Sequence, residues 1–183
     1  MAERGIRMDV YVTRHGETEF NKLDLVCGGL TDIPLAEKGR MQAEALRAKI
    51  KDIPITKIIV SPLIRARETA SILSDGIIPI IVDERLVEEK FGPYEGGPLY
   101  DKEFVELRRN FAYVFSDGES LLRMAHRLYS LLDEIPMRWP NETLLLVCHG
   151  AAARMIHTYF NSMSNEEFFS FHMQNCALNH YVL

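Results

Sequence analysis

A chain of 183 residues, 47% hydrophobic and 26% charged, is long enough to bury one sizeable core and has the balance of an ordinary globular protein. A net charge of -5 argues against a nucleic-acid surface but leaves room for a few clustered arginines around a small anion. No apolar run reaches bilayer length, and residues 1–7 lack the apolar centre of a signal peptide, so neither membrane nor nucleic acid is an expected partner. Three irregularly spaced cysteines, Cys27, Cys148 and Cys176, do not make a disulfide framework, and a reducing cytoplasm is the expected location.

The first element is the apolar, β-branched run Val10-Tyr11-Val12-Thr13, read as a buried strand that stops on Arg14-His15-Gly16. In an open α/β sheet ligands sit at the carboxyl ends of strands, so this arginine and histidine stand where chemistry would occur, with Gly16 allowing backbone to approach a ligand. A loop follows through Gly28-Gly29 and Pro34, then a helix over 35–51 with Ala43, Leu46 and Ile50 on its buried face. Lys57-Ile58-Ile59-Val60 is a second strand; Ser61 and Pro62 read as the N-cap and first residue of the next helix, with Arg65 in its opening turn. Residues 77–82 form a third strand, placed at an edge by Pro79.

Residues 83–118 are the least regular. They hold Glu84, Glu88 and Glu89 and then a Gly- and Pro-rich turn, and a short helix over 99–110 would sit on the sheet as a small cap, its insertion bounded at 97–117. A long helix spans about 118–135. The fourth strand, 143–148, ends on His149-Gly150 and passes at once into a helix whose N-terminus points backbone N–H groups at the site. A last strand runs over 177–183. The alternation of strands and helices implies one domain over 1–183: a doubly wound, mostly parallel α/β sheet with helices on both faces and a small helical cap over the carboxyl edge.

Three strand ends thus bring two histidines and two arginines to one edge. The set suits a tetrahedral phosphoryl group: Arg14 and Arg65 neutralise its oxygens, one histidine attacks phosphorus, and a carboxyl group protonates the leaving oxygen. His126, His157, His172 and His180 belong to no motif and read as surface or structural residues; Arg67 reads as a helix-surface charge and Cys148 as an inert buried thiol. No pattern of metal ligands and no phosphate loop of the nucleotide-binding kind is present, so no metal or cofactor is expected.

Arg14-His15-Gly16-Glu17-Thr18 with Asn21 resembles the signature of the histidine phosphatase superfamily, the phosphoglycerate mutase-like branch. The likeness runs along the chain: Asp32-Ile33-Pro34-Leu35 with Gly39 and Gln42-Ala43, Ser61-Pro62-Leu63-Ile64-Arg65-Ala66-Arg67-Glu68-Thr69-Ala70, Leu86-Val87-Glu88 with Gly92 and Glu95-Gly96, Gly118-Glu119-Ser120, and Val147-Cys148-His149-Gly150. The resemblance implies that His15 becomes phosphohistidine, that Arg14, Arg65 and His149 hold the phosphoryl oxygens, that Glu88 is the proton donor, and that Asn21 and the backbone of Gly150 and Ala151 add donors to the phosphate. Ala36 stands where the family often has a capping Thr or Ser, and Ala151 where a glycine is frequent. The chain lacks the long insertion and basic C-terminal tail of the true mutases. The implied function is metal-independent hydrolysis of a small phosphorylated metabolite; a mutase and a non-catalytic phospho-ligand binding module are the alternatives. The aromatic residues between Phe91 and Phe115, with Lys102, Arg108 and Arg109 as the cations near them, imply a partly apolar or sugar-like leaving group and broad tolerance.

Overall fold

The computed structural model describes residues 7–183; residues 1–6, most of the segment read above for a signal peptide, lie outside it. Five strands form one mixed sheet: β1 (Asp9–Arg14), β2 (Lys57–Val60), β3 (Ile80–Val82), β4 (Leu144–Cys148) and β5 (Leu178–Val182), in the order β3-β2-β4-β1-β5. All pairs are parallel except β1 with β5. β4 therefore lies between β1 and β2, and Arg14 is in register with Cys148. Antiparallel β5 starts where β1 ends, Leu178 pairing with Thr13.

The helices are α1 (Glu19–Lys22), α2 (Glu37–Ile50), α3 (Ile64–Ser74), α4 (Lys102–Leu107), α5 (Leu121–Arg138), α6 (Gly150–Phe160) and α7 (Asn165–Ser170). The central strands are apolar throughout because both faces are covered. Val10, Val12, Ile59, Leu144 and Leu146 pack with α5 and α6 in one core; Ile58, Val60, Leu145 and Val147 pack with α2 and α3 in the other. Successive residues of each strand thus enter opposite cores, the period-2 rule of a pleated strand.

Several boundaries differ from the sequence reading, each for a local reason. Helix α2 begins at Glu37 rather than near residue 35, because the chain runs extended through Ala36, whose N–H bonds the Glu17 carbonyl. Helix α3 is not capped by Ser61. Its N-cap position is Leu63, and a carboxylate oxygen of Asp32 accepts from Ile64 N at 2.7 Å, which supplies the missing cap from a distant loop. Residues 77–79 are not strand: Asp75 and Gly76 adopt positive φ, and the N–H groups of Ile77 and Ile78 turn back to the Ser74 carbonyl. β3 itself is an edge, as Pro79 implies. The helix placed over 99–110 contracts to α4, opened by Asp101 accepting from Phe104 N. Helix α5 runs on past Ile135 to Arg138 and takes Pro136 into its last turn. α1 and α7 were not read from the sequence, although each opens with a capping box, Thr18–Asn21 and Ser164–Glu167.

Between β3 and α5, Phe91, Phe104 and Phe115 form a third small core with Val26, and Tyr94, Leu99, Leu107 and Tyr113 pack around it. Most of the aromatics between Phe91 and Phe115 are therefore spent on packing. Phe111 turns away to Phe168 and Phe169 of α7. No helix among the described residues is long and apolar enough to cross a membrane.

Candidate active site

The carboxyl ends of β1, β4 and β2 lie side by side and carry His15, His149 and Ser61. The rings of His15 and His149 are 5.1 Å apart. His15 Nδ1 lies 2.7 Å from the Gly16 carbonyl. A carbonyl only accepts, so Nδ1 carries the proton and Nε2 is left as a free lone pair. Burial and the nearby guanidiniums of Arg65 and Arg14 hold the His15 pKa well below that of a free imidazole. His149 is lowered in the same way, by burial first and then by Arg65, His15 and Arg14. Its Nε2 lies 2.7 Å from Ser61 Oγ. Ser61, expected to cap a helix, thus orients a site histidine instead; no spacing in the sequence distinguishes the two roles.

Arg65 is completely buried and spends Nη1 and Nη2 on the carbonyls of Thr31 and Gly28, at 2.6 and 3.0 Å. Arg14 donates from Nη1 to the Met173 carbonyl, 3.1 Å away. Its pKa is lowered by burial, against the opposing field of Glu88. Arg14 Nε, Arg65 Nε and His149 Nδ1 are buried without a protein partner. A buried unpaired polar group costs about 1–3 kcal/mol, so three of them around two imidazoles describe a set built for an anionic ligand.

Gly16 has a packing role that the sequence reading did not assign to it. A Cβ there would lie 2.3 Å from the carbonyl oxygen of Gly39 in α2, so its bare backbone is required for helix packing. Glu88 sits at the N-terminus of α6. Oε2 accepts from Ala151 N, and Oε1 from Ala152 N and Glu89 N, all at 3.0 Å. The Ala151 N–H, expected to face a phosphate, is therefore held by Glu88. The segment bearing Glu88 is itself gripped by Arg127 of α5, a residue that belongs to no motif. Its guanidinium donates to the carbonyls of Arg85, Val87 and Glu88 and pairs with Glu119 at 2.6 Å.

Arg14, Asn21, Glu88, Gly150 and Ala151 line one cavity of about 250 Å³. The same cavity is lined by Tyr100, Phe104, Phe169 and Phe171, but also by Arg108, Arg154 and Glu89, so it is more polar than the aromatic residues alone imply. Arg154 was not foreseen. Glu89 is buried, and one of its oxygens has no partner. Burial and the adjacent Glu88 and Glu119 push its pKa well above the usual carboxylate range. Cys148 is fully buried and its thiol pushed up by burial, an inert sulfur. His172 lines the cavity mouth, while His180 is exposed and pairs with Asp9 on the far edge of the sheet. Among the described residues, no group of three histidine, cysteine or carboxylate side chains is placed to hold a metal.

A family model described as the histidine phosphatase superfamily, branch 1, matches residues 10–183. The chain belongs to the histidine phosphatase superfamily. It is an enzyme of the histidine phosphatase type, and this histidine phosphatase has relatives with two kinds of name. It is 35% identical over 150 residues to an uncharacterized phosphatase, PhoE, of Bacillus subtilis, covering 81% of this chain and 75% of that one. It is 32% identical over 181 residues to a protein of Erwinia tasmaniensis named a probable phosphoglycerate mutase, GpmB, covering 94% and 83%. Among solved structures, Bacillus stearothermophilus YhfR superposes with a TM-score of 0.83 at 29% identity, over 94% of this chain and 90% of that one.

Proposed function

We propose that the protein hydrolyses a small phosphomonoester through a phosphohistidine intermediate, without a metal. The observation that carries this reading is the state of His15: a buried imidazole whose Nδ1 proton is fixed on the Gly16 carbonyl, with Nε2 unprotonated and its charged form disfavoured. Nε2 attacks phosphorus, a P–N bond forms and the P–O bond to the leaving group breaks. Glu88 gives the leaving oxygen its proton and, now ionised, takes one from the water that cleaves the P–N bond. Arg14, Arg65 and His149 stabilise the charge on the equatorial oxygens, and Asn21 adds a donor from the cavity wall. The protein supplies positioning and a preorganised field, as phosphoryl transfer requires.

The similarity to a protein named a mutase favours one second reading, transfer back to another hydroxyl of the same skeleton. That route must keep water off the phosphoenzyme, and α4, a helix of six residues, is a small cover for the task. Turnover of p-nitrophenyl phosphate in the presence and absence of EDTA, with His15→Ala as control, tests the first reading. Activity should survive EDTA and vanish in the variant; a metal requirement or an active variant refutes it. Isomerisation of 3-phosphoglycerate outrunning phosphate release, given a bisphosphoglycerate primer, would select the second.

A further inference from the structure

The strap that leads from α7 into β5 runs against the end of β1. Its Met173 carbonyl accepts from Arg14 Nη1, its Cys176 N–H bonds the Arg14 carbonyl at 2.9 Å, and its Ala177 carbonyl accepts from Thr13 Oγ1 at 2.7 Å. Asn175 lies in the middle of this strap. Its Nδ2 is 2.8 Å from the carbonyl oxygen of His15 and 3.5 Å from Asn21 Oδ1. Both neighbours are acceptors, so the amide orientation of Asn175 is fixed: the nitrogen must face them. The same logic passes to Asn21. Its Oδ1 already accepts from Thr18 N at 3.1 Å in the cap of α1, and Asn175 Nδ2 approaches the same oxygen. Asn21 Nδ2 is thereby turned away from the cap, and Asn21 lines the cavity.

From this bridging position, and resting on the phosphatase reading above, we infer that Asn175 is a positioning residue of the reaction: one amide group sets the backbone that carries the nucleophile and the amide orientation of Asn21. It does not touch the reacting atoms. It belongs to no motif in the sequence and stands 160 positions from His15. Only the antiparallel pairing of β5 with β1 brings it there. A displacement of about 1 Å at a reacting centre can cost a hundredfold in rate, so a single hydrogen bond at this point has leverage out of proportion to its contribution to folding.

The test uses Asn175→Ala, Asn21→Ala and the double variant, each checked by thermal melting. Stopped-flow release of p-nitrophenol from p-nitrophenyl phosphate reads phosphoenzyme formation. Calorimetry reads the affinity for orthovanadate, which takes the trigonal-bipyramidal geometry of the transition state, and for inorganic phosphate, which does not. Asn175→Ala is expected to slow the burst and weaken vanadate binding by about ten- to a hundredfold while phosphate affinity changes by less than about threefold. The double variant should lose far less than the product of the two single losses, since one residue acts partly through the other. Equal weakening of vanadate and phosphate would mean general damage to the site and overturns the inference, as does a double variant equal to the product of the singles, or an unchanged burst. If the native protein releases no p-nitrophenol, the phosphatase reading fails and the vanadate comparison still decides the role of Asn175; failure of the native protein to bind vanadate refutes both.

Discussion

Gly39 is the point at which α2 meets the loop that follows His15, and replacing it by alanine sets two effects of opposite sign against each other. In a helix interior alanine is favoured over glycine by about 1 kcal/mol. At Gly39, however, the added Cβ would lie 2.1 Å from the Glu17 carbonyl oxygen and 2.7 Å from Glu17 N. Both contacts are to backbone, so no side chain can swing aside, and α2 and the loop must separate by more than an ångström. Two hydrogen bonds stretch with that movement, Ala36 N to Glu17 O at 2.9 Å and Glu17 N to Gln42 Oε1 at 2.8 Å. Overpacking costs about 1–3 kcal/mol, each weakened hydrogen bond adds about 1 kcal/mol, and the helix gain returns about 1 kcal/mol, leaving a net loss of about 2–4 kcal/mol. At about 2–4 °C per kcal/mol for a domain of this size, Gly39→Ala should melt about 5–15 °C lower. Turnover should fall as well, because Glu17 stands two residues from His15. Circular-dichroism melts and urea titrations measure the first effect. Gly76→Ala is the control: the site has positive φ and open space around it, so it should lose about 1 kcal/mol through backbone strain and leave turnover alone. A Gly39→Ala protein as stable as the native one, or more so, would refute the packing argument and leave helix propensity as the governing term.

Glu89→Gln should stabilise the protein at pH 7. The folded state holds the Glu89 carboxyl protonated above its unfolded pKa near 4.5, so folding loses about 1.4 kcal/mol per pH unit between that value and the raised folded one; the gain from glutamine should vanish in urea titrations at pH 4.5. His15 and His149 act in the opposite sense. Their folded pKa values lie below the unfolded 6.5, so the unfolded state binds more protons as pH falls below that point, and stability should drop by up to about 2.7 kcal/mol per unit from the pair, partly offset by Glu89; a flat profile between pH 6.5 and 5.5 would contradict it. Arg127→Met strips three carbonyls of the Glu88 segment of their donor and leaves Glu119 unpaired, a change of about 3–5 kcal/mol for a largely buried pair. Melting should fall steeply and kcat with it, and a variant that melts normally would show the grip of Arg127 to be dispensable.

The strands and the principal helices were legible because they obey local rules: continuous apolar runs for strands covered on both faces, an i, i+3, i+4 stripe for α2 and α5. The meeting of His15 and His149 at the strand ends was legible for the same reason, since a histidine directly after a buried strand has one place to be. What was not legible depends on pairing between distant segments. Ser61 reads as a cap until Asp32 supplies the cap and His149 takes the hydroxyl. The need for a bare Gly16 backbone under α2 shows only once Gly39 is laid across it. Arg127 and Asn175 carry no local signal, because the carbonyls they bind have no side-chain identity and could belong to any residue. Glu89 and Arg154 become neighbours only when the segment after β3 folds back over α6.

The antiparallel fifth strand has a consequence for how the protein is made. His15 lies at the end of the first strand, but the amide that bonds its carbonyl arrives 160 residues later. At roughly 5–20 residues per second, His15 leaves the ribosome about ten to thirty seconds before Asn175. For most of that interval neither β4 nor β5 has been made, and the apolar residues of β1 have nothing to pair with. The site is thus completed at a late stage of synthesis, and a chain cut before α7 would keep the pairing of β1 with β4 but lose β5 and the Asn175 amide that bonds the His15 carbonyl. Such truncated chains would leave one edge of β1 unpaired and be good substrates for chaperones.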